Sequence, residues 1–328
     1  MSKRSLMLGV SGQDGGYLSK LLLDKGYQVI GTSRDAGLST FSGLNRLGIF
    51  NKVLTVSTVL TDFRSVLGTI RKYQPTEIYN LAGQSSVGLS FDQPVETMES
   101  VVLGTLNVLE AIRFEGGDIR FYNAGSSECF GDTGELAATE ATPFRPRSPY
   151  AVAKASAHYL VANYRDAYKL FACTGVLFNH ESPLRPERFV TQKIVSTAAR
   201  IAAGSQERLR LGNIEIARDW GWAPEFVEAM WRMLQQENAD DYIIATGRSE
   251  SLSYFVERVF EQYSLDWRQH TEIDDTLLRP SDIQVSRGNP GKAADQLGWK
   301  PSKDIDGVIA GMCGQFHGVG DGTGRVGQ

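Results

Sequence analysis

The chain has 328 residues and a mass of 36.1 kDa, with 34 Lys plus Arg against 38 Asp plus Glu, 41% hydrophobic and 22% charged residues. This balance excludes a disordered chain, and a formal charge of −4 with a pI near 5.7 supplies no basic field for nucleic acid or an anionic membrane surface. No apolar run approaches the roughly 20 residues of a membrane helix, and residues 1–10 run into a glycine-rich turn with no small-residue cleavage site, so neither a span nor a signal peptide is expected.

In chain order, residues 5–10 read as a strand, 17–25 as a helix and 27–33 as the next strand. Strands at 53–56, 77–81, 119–124 and 172–178 come next, with helical patterns such as 101–114 and 151–167 between them. Alternating strands and helices predict βαβ units, a parallel sheet with both faces covered, and a doubly wound α/β fold. Residues 179–188, with two prolines and several charges, read as a loop. Helices are predicted near 190–203, 224–236 and 253–263, with one more strand at 241–245, so the second half should form a smaller lobe over the C-terminal edge of the sheet. The Gly-rich end, 316–328, reads as a flexible tail. Cys129, Cys173 and Cys313 are too few for a disulfide scaffold and predict a reducing, cytoplasmic setting. His158, His180, His270 and His317 show no ligand spacing with them, so no metal site is expected.

Gly9-Val10-Ser11-Gly12-Gln13-Asp14-Gly15 fits G-x-x-G-x-x-G between the first strand and the first helix. There a dinucleotide pyrophosphate meets free helix N–H groups and the positive end of the helix dipole, which gives the Rossmann arrangement over 1–178. The second strand ends in Thr32-Ser33-Arg34-Asp35. Arg34 suits the 2′-phosphate of NADP, while Asp35 beside it keeps NAD as the alternative. Tyr150 and Lys154 lie four residues apart after Ser148-Pro149, a helix start, and so share a helical face. A nearby ammonium and a positive nicotinamide favour the phenolate of such a tyrosine. Ser126, at the end of the strand before Ser127-Glu128, offers a hydroxyl to the same substrate oxygen.

With these motifs the chain resembles an extended short-chain dehydrogenase/reductase, and within that group it is similar to the GDP-mannose 4,6-dehydratases. The blocks that carry the resemblance are Gly12-Gln13-Asp14-Gly15, Tyr79-Asn80-Leu81-Ala82-Gly83-Gln84-Ser85, Pro143 to Tyr150, Phe178-Asn179-His180-Glu181-Ser182-Pro183, and Leu211-Gly212-Asn213 with Arg218-Asp219-Trp220-Gly221. The resemblance implies a lyase in deoxysugar metabolism. Tyr150 takes the 4-hydroxyl proton while hydride leaves C4 for NADP⁺, Glu128 serves the proton steps that expel the 6-hydroxyl as water, and the hydride returns to C6. Catalytic positions are then Ser126, Glu128, Tyr150 and Lys154. It places Gly9, Gly12, Gln13, Asp14, Gly15, Arg34, Leu60, Leu81, Ala82, Gln84, Leu177, Asn179, His180 and Arg185 at the cofactor, together with Tyr150 and Lys154. It places Ser85, Ser86, Val190, Lys193, Gly212, Arg218, Arg279 and Asp282 at the substrate, together with Ser126, Glu128 and Asn179. The implied partner is a GDP-linked hexose, and the implied assembly a homodimer or homotetramer. A substrate lobe of 179–213 and 248–315 is expected, with 214–247 returning to the sheet. Ser86, smaller than the family's usual residue, leaves a GDP-linked heptose as an alternative substrate, and an epimerase or reductase is the more distant one.

Overall fold

A computed structural model describes residues 3–316. In chain order its strands are β1 (Arg4–Leu8), β2 (Gln28–Ser33), β3 (Leu54–Ser57), β4 (Glu77–Asn80), β5 (Arg120–Ser126), β6 (Ala172–Leu177), β7 (Asn179–Glu181), β8 (Leu209–Leu211), β9 (Ala217–Arg218), β10 (Trp220–Trp222), β11 (Tyr242–Ile244), β12 (Glu250–Ser251), β13 (Thr271–Ile273) and β14 (Val285–Ser286). Seven of them form one sheet in the order β11-β6-β5-β4-β1-β2-β3, and every neighbouring pair is parallel. β4 and β6 are buried throughout, as strands covered on both faces must be.

The helices Gln13–Asp24, Ala223–Met233 and Gly291–Leu297 cover one face with Leu18, Leu22, Phe226, Met230 and Leu297. The other face takes Phe63–Tyr73, Gly104–Glu115 and Pro149–Tyr168 through Val66, Ile70, Val108, Ile112 and Val161. A separate core holds the smaller lobe, where Val190–Ala202, Leu252–Glu261 and Ile305–Cys313 bring together Ile194, Val195, Phe255, Val259, Ile309 and Met312. Two segments sit differently from their sequence grouping. Gly291–Leu297 packs on the sheet, because Ala293, Leu297 and Trp299 find their apolar partners there. β9 pairs with β12 and β14 in a lobe sheet, although its place in the chain groups 214–218 with the returning segment. The tail expected at 316–328 lies, apart from Phe316, outside the described residues.

Strand order reverses at β1 and β4, where the chain leaves in opposite directions and opens a crevice beyond their C-terminal ends. The first helix starts at Gln13 rather than near 17, with Gly12 as its cap residue and the Gly16 N–H donating to the Gly12 carbonyl. Residues 179–181, expected to be loop, instead form β7, parallel to β10. A three-residue strand whose partner is some 40 positions away leaves no periodic trace in sequence. This short pair is the seam between sheet and lobe. Among the described residues no helix is long and apolar enough to cross a membrane.

Gly221 lets the seam close, since a Cβ there would stand 2.2 Å from the Phe226 ring. Gly221→Ala should therefore overpack the seam and destabilise by about 1–3 kcal/mol. The expected reading is a lower urea midpoint with an unchanged m value.

Candidate active site

The site begins where β1 ends. Gly9 turns with φ of +85°, and a Cβ on it would lie 2.9 Å from the Ala82 backbone after β4; one on Gly15 would lie 2.6 Å from the Gly9 carbonyl oxygen. These contacts need glycine, and they bring backbone to the crevice floor. The helix opens without a side-chain cap, so its first N–H groups are not claimed by a capping side chain. A cradle that a Cβ would fill, at an uncapped helix N-terminus, fits a dinucleotide diphosphate. Gln13 ties the turn to β7 and to Ser182 just beyond it: its amide donates to the His180 carbonyl at 3.0 Å and accepts from the Ser182 hydroxyl at 2.7 Å. Asp14 meets His180 Nε2 at 2.9 Å.

Arg34 projects from the end of β2, 87% exposed at its side chain, with only a 3.7 Å ion pair to Glu96. Asp35 is turned into its own loop, accepting from the Gly37 and Leu38 N–H groups at 2.9 and 3.2 Å. Leu60 lies over the Gly104–Glu115 helix, its carbonyl accepting from Asn107. Gln84 turns back on its own loop, donating to the Ser86 carbonyl at 2.8 Å and to Thr97 at 3.3 Å.

Next to the crevice lies a cavity of about 400 Å³. It is lined by all four expected catalytic side chains, by Asp14, Leu81, Leu177, Asn179, His180 and Arg185, and by every residue expected at the substrate: Ser85, Ser86, Val190, Lys193, Gly212, Arg218, Arg279 and Asp282 besides those shared with the other groups. Gly9, Gly12, Gln13, Gly15, Arg34, Leu60, Ala82 and Gln84 do not line it. Gly9, Gly12, Gln13 and Gly15 instead form the glycine turn, against which Ala82 packs.

At the chemical centre Ser126 lines the cavity with Tyr150, and its hydroxyl accepts from the Glu128 N–H at 3.3 Å. Lys154 Nζ donates to the Ala124 carbonyl at 2.9 Å and stands 5.8 Å from the Tyr150 ring centre. The sequence reading has the lysine and a positive nicotinamide together drawing Tyr150 toward phenolate. In the structure burial dominates and pushes the Tyr150 pKa up, with the Ser126 hydroxyl acting the other way. Burial also pushes the Lys154 ammonium down to about 8. Glu128 is raised by burial, against the pull of Arg218 and Arg279, while Asp282 adds to the rise.

At the far end Arg218, buried on β9, donates to Asp282 at 3.1 Å and to the Ile283 carbonyl at 2.8 Å. Arg279 reaches Asp282 at 3.6 Å, so one carboxylate faces two guanidinium groups. Lys193 donates to the Arg210 carbonyl at 2.6 Å, and burial lowers its pKa. Gly212 permits close passage of Leu277, whose carbonyl oxygen would lie 3.1 Å from a Cβ. Sequence reasoning missed Arg210, Leu277 and Leu278, which line the same cavity. Arg210 is held by Asp274 at 2.5 Å, a partner 64 positions on. Only the Leu209-Arg210-Leu211 alternation marks it as lying on the polar side of a strand. Among the described residues no group of three or more His, Cys, Asp or Glu side chains is placed to hold a metal.

A doubly wound parallel sheet whose crevice carries Ser126, Tyr150 and Lys154, with a guanidinium-rich cleft beyond, defines an extended short-chain dehydrogenase/reductase. Residues 6–312 match the family model described as GDP-mannose 4,6 dehydratase. GDP-mannose 4,6 dehydratase 1 of Arabidopsis thaliana is 44% identical over 320 residues, covering 94% of this chain and 88% of its own. The GDP-mannose 4,6-dehydratase of Sinorhizobium fredii is 42% identical over 329 residues, covering 92% and 93%. The chain therefore belongs to the GDP-mannose 4,6-dehydratase family. Among solved structures, Thermus thermophilus UDP-glucose 4-epimerase in complex with NAD matches with a TM-score of 0.84 at 26% identity, over 96% of this chain and 99% of its own. RMD from Pseudomonas aeruginosa complexed with NADPH shares the fold, with a TM-score of 0.79 at 24% identity over 96% and 99%.

Asp282→Asn should leave the buried Arg218 guanidinium facing a neutral amide and lower stability by about 1–3 kcal/mol. Urea unfolding of the purified variant checks this.

Proposed function

We propose that the protein converts GDP-mannose to GDP-4-keto-6-deoxymannose and water. The observation that carries this reading is Glu128, set two residues beyond Ser126 and lining one cavity with Tyr150 and Lys154. Epimerisation or simple reduction has no use for this third proton-handling group; expulsion of water does.

Bound, a nicotinamide dinucleotide supplies a hydride acceptor, later a hydride donor, and a positive ring. The chain's own residues manage the protons. Tyr150, brought to phenolate against its burial by the positive ring and the Lys154 ammonium, takes the 4-hydroxyl proton, with Ser126 hydrogen-bonding the same oxygen. Lys154 holds the Ala124 carbonyl and offers its remaining N–H groups to the cofactor side. The ketone formed at C4 acidifies C5–H. Glu128 removes that proton and passes it to the 6-oxygen as the C6–O bond breaks, so water leaves and a C5–C6 double bond forms. After hydride returns to C6, the proton held by Tyr150 goes back to C5 and the phenolate is restored. Arg218, Arg279 and Lys193 serve the nucleotide end, where guanidinium groups suit a diphosphate.

NADP is the proposed cofactor, on the exposed Arg34 side chain, whose ion pair to Glu96 is long, and the inward turn of Asp35. GDP-mannose is preferred over the heptose because the curated relatives are named for it, and because the Ser86 hydroxyl is engaged in capping the Val87–Asp92 helix, where it accepts from the Leu89 N–H at 3.3 Å. A homodimer or homotetramer is proposed on the exposed Val95, Met98, Leu103, Val152 and Tyr159, and a cytoplasmic setting on the sparse cysteines.

Incubation with GDP-mannose and catalytic NADP⁺ should produce a nucleotide sugar lighter by one water; an unchanged mass with cofactor bound sinks the assignment. Glu128→Gln is expected to cut water loss by roughly 10²-fold or more while reduced cofactor still accumulates on mixing. Removing a guanidinium that lowers the Glu128 pKa should raise it, so Arg218→Gln should move the acidic limb of the kcat–pH profile to higher pH. Arg34→Ala should weaken NADP binding by roughly 10–100-fold and leave NAD binding unchanged, as read by fluorescence titration.

A further inference from the structure

Both ring nitrogens of His180 face acceptors. Nδ1 lies 2.7 Å from the Phe178 carbonyl oxygen, which only accepts, and Nε2 lies 3.0 and 2.9 Å from the two oxygens of Asp14. A neutral imidazole owns one N–H and satisfies one of these partners. The second proton belongs either to the ring or to Asp14, and the surroundings decide. The Gln13 amide donates to Asp14 Oδ1 at 3.2 Å, and the Arg185 and Lys154 cations, which line the same cavity, act on the carboxylate through their charge. All three favour an ionised Asp14, whose charge and hydrogen bond hold the second proton on the ring against the opposing Arg185 charge. The Phe226 ring, stacked on the imidazole at 4.6 Å, also suits a cation.

Asp14 stands in the first turn of the Gln13–Asp24 helix, next to the N-terminus that would receive a diphosphate. Left uncompensated, its charge would oppose that ligand. We infer that His180 is held as an imidazolium and acts as a positioning residue, cancelling the Asp14 charge so that the helix N-terminus receives a dinucleotide diphosphate. This rests on the reading of a bound nicotinamide dinucleotide and goes beyond it by giving the buried histidine a charge state and a task. The other groups packed round the pair are Glu181, already paired with Arg185 at 2.7 Å, and the uncharged Tyr122.

Burial by itself would push the His180 pKa down, but the Asp14 charge and hydrogen bond lift it above the ordinary value; Asp14 falls below its own, despite burial, through His180 and Arg185. A raised histidine pKa means the compensation is complete below the ordinary histidine range and is lost as pH rises through the folded-state value. Dinucleotide affinity should fall over that upper window.

The test starts with cofactor-free full-length protein. In an NMR titration of the histidine ring C–H signals, the His180 signal, assigned as the one that moves in Asp14→Asn, should titrate above about 6.5. A value at or below that overturns the inference. Dinucleotide dissociation constants by fluorescence come next. His180→Asn should weaken binding roughly tenfold, the size of one screened unit charge at a few ångströms, and the double variant Asp14→Asn/His180→Asn should regain most of the loss, which a merely structural histidine would not permit. Wild-type affinity in His180→Asn, or no recovery in the double variant, overturns it. If His180→Asn fails to fold, Asp14→Asn decides alone: the alkaline fall in affinity should vanish, and its persistence overturns the inference. Wild-type protein that binds no dinucleotide at any pH overturns the cofactor reading and the charge role with it. The ring titration needs no dinucleotide and tells the two failures apart.

Discussion

Lys154, His180, Glu181 and Arg218 are withdrawn from water around one cavity, and a charge so placed is tolerated only where an opposite charge or a dipole faces it. Lys154 has the Ala124 carbonyl, His180 has Asp14, Glu181 has Arg185 and Thr191, and Arg218 has Asp282 and the Ile283 carbonyl. Several of these partners lie far apart in the chain: Asp14 and His180 are separated by 166 positions, Arg218 and Asp282 by 64. Pairing the charges therefore also fixes which segments meet, and the shape of the cavity results from it. Apolar side chains of equal volume would hold such walls at least as firmly. They would give no grip on a diphosphate and no proton to move, which is the physical reason to carry the cost.

The sheet supplies what the charges cannot. Parallel strands with both faces covered end together at one edge, and the reversal between β1 and β4 leaves that edge open. Ser126 arrives there as the last residue of β5, and Tyr150 and Lys154 reach it from a helix that starts at Pro149 and is capped by the Ser148 hydroxyl. Rigid elements thus position the groups proposed to exchange protons, while the more irregular lobe brings the guanidinium groups.

Much of this was legible in the sequence, and the parts that were not share a cause. Local pattern revealed the alternation of strands and helices, the glycine turn, and the shared face of Tyr150 and Lys154. Resemblance placed Arg218, Arg279 and Lys193, and all three line the cavity. Strand β7 escaped because its pairing with β10 is tertiary and its three residues have no period. The upward push on the Tyr150 pKa escaped because spacing reports the lysine nearby but not the burial. The hydrogen bonds of His180 to Asp14 and the Phe178 carbonyl were beyond sequence reading, since Asp14 lies 166 positions away. Gln84 likewise spends its amide on its own loop and Thr97. Arg210 depends on Asp274, which no window of neighbouring residues contains.

The segment Gly291–Leu297 packs on the sheet, whereas the helices before and after it, Leu252–Glu261 and Ile305–Cys313, belong to the lobe; β11 lies in the sheet between lobe strands β9 and β12. The chain is thus laced back and forth across the cleft rather than passing over it once. A protein whose halves are joined by a single strap can swing open about that strap. Lacing couples the two halves: any widening is shared by every crossing, the β7–β10 seam included. The cavity walls are thus tied into both cores at once, and a strain at one crossing is felt at the others.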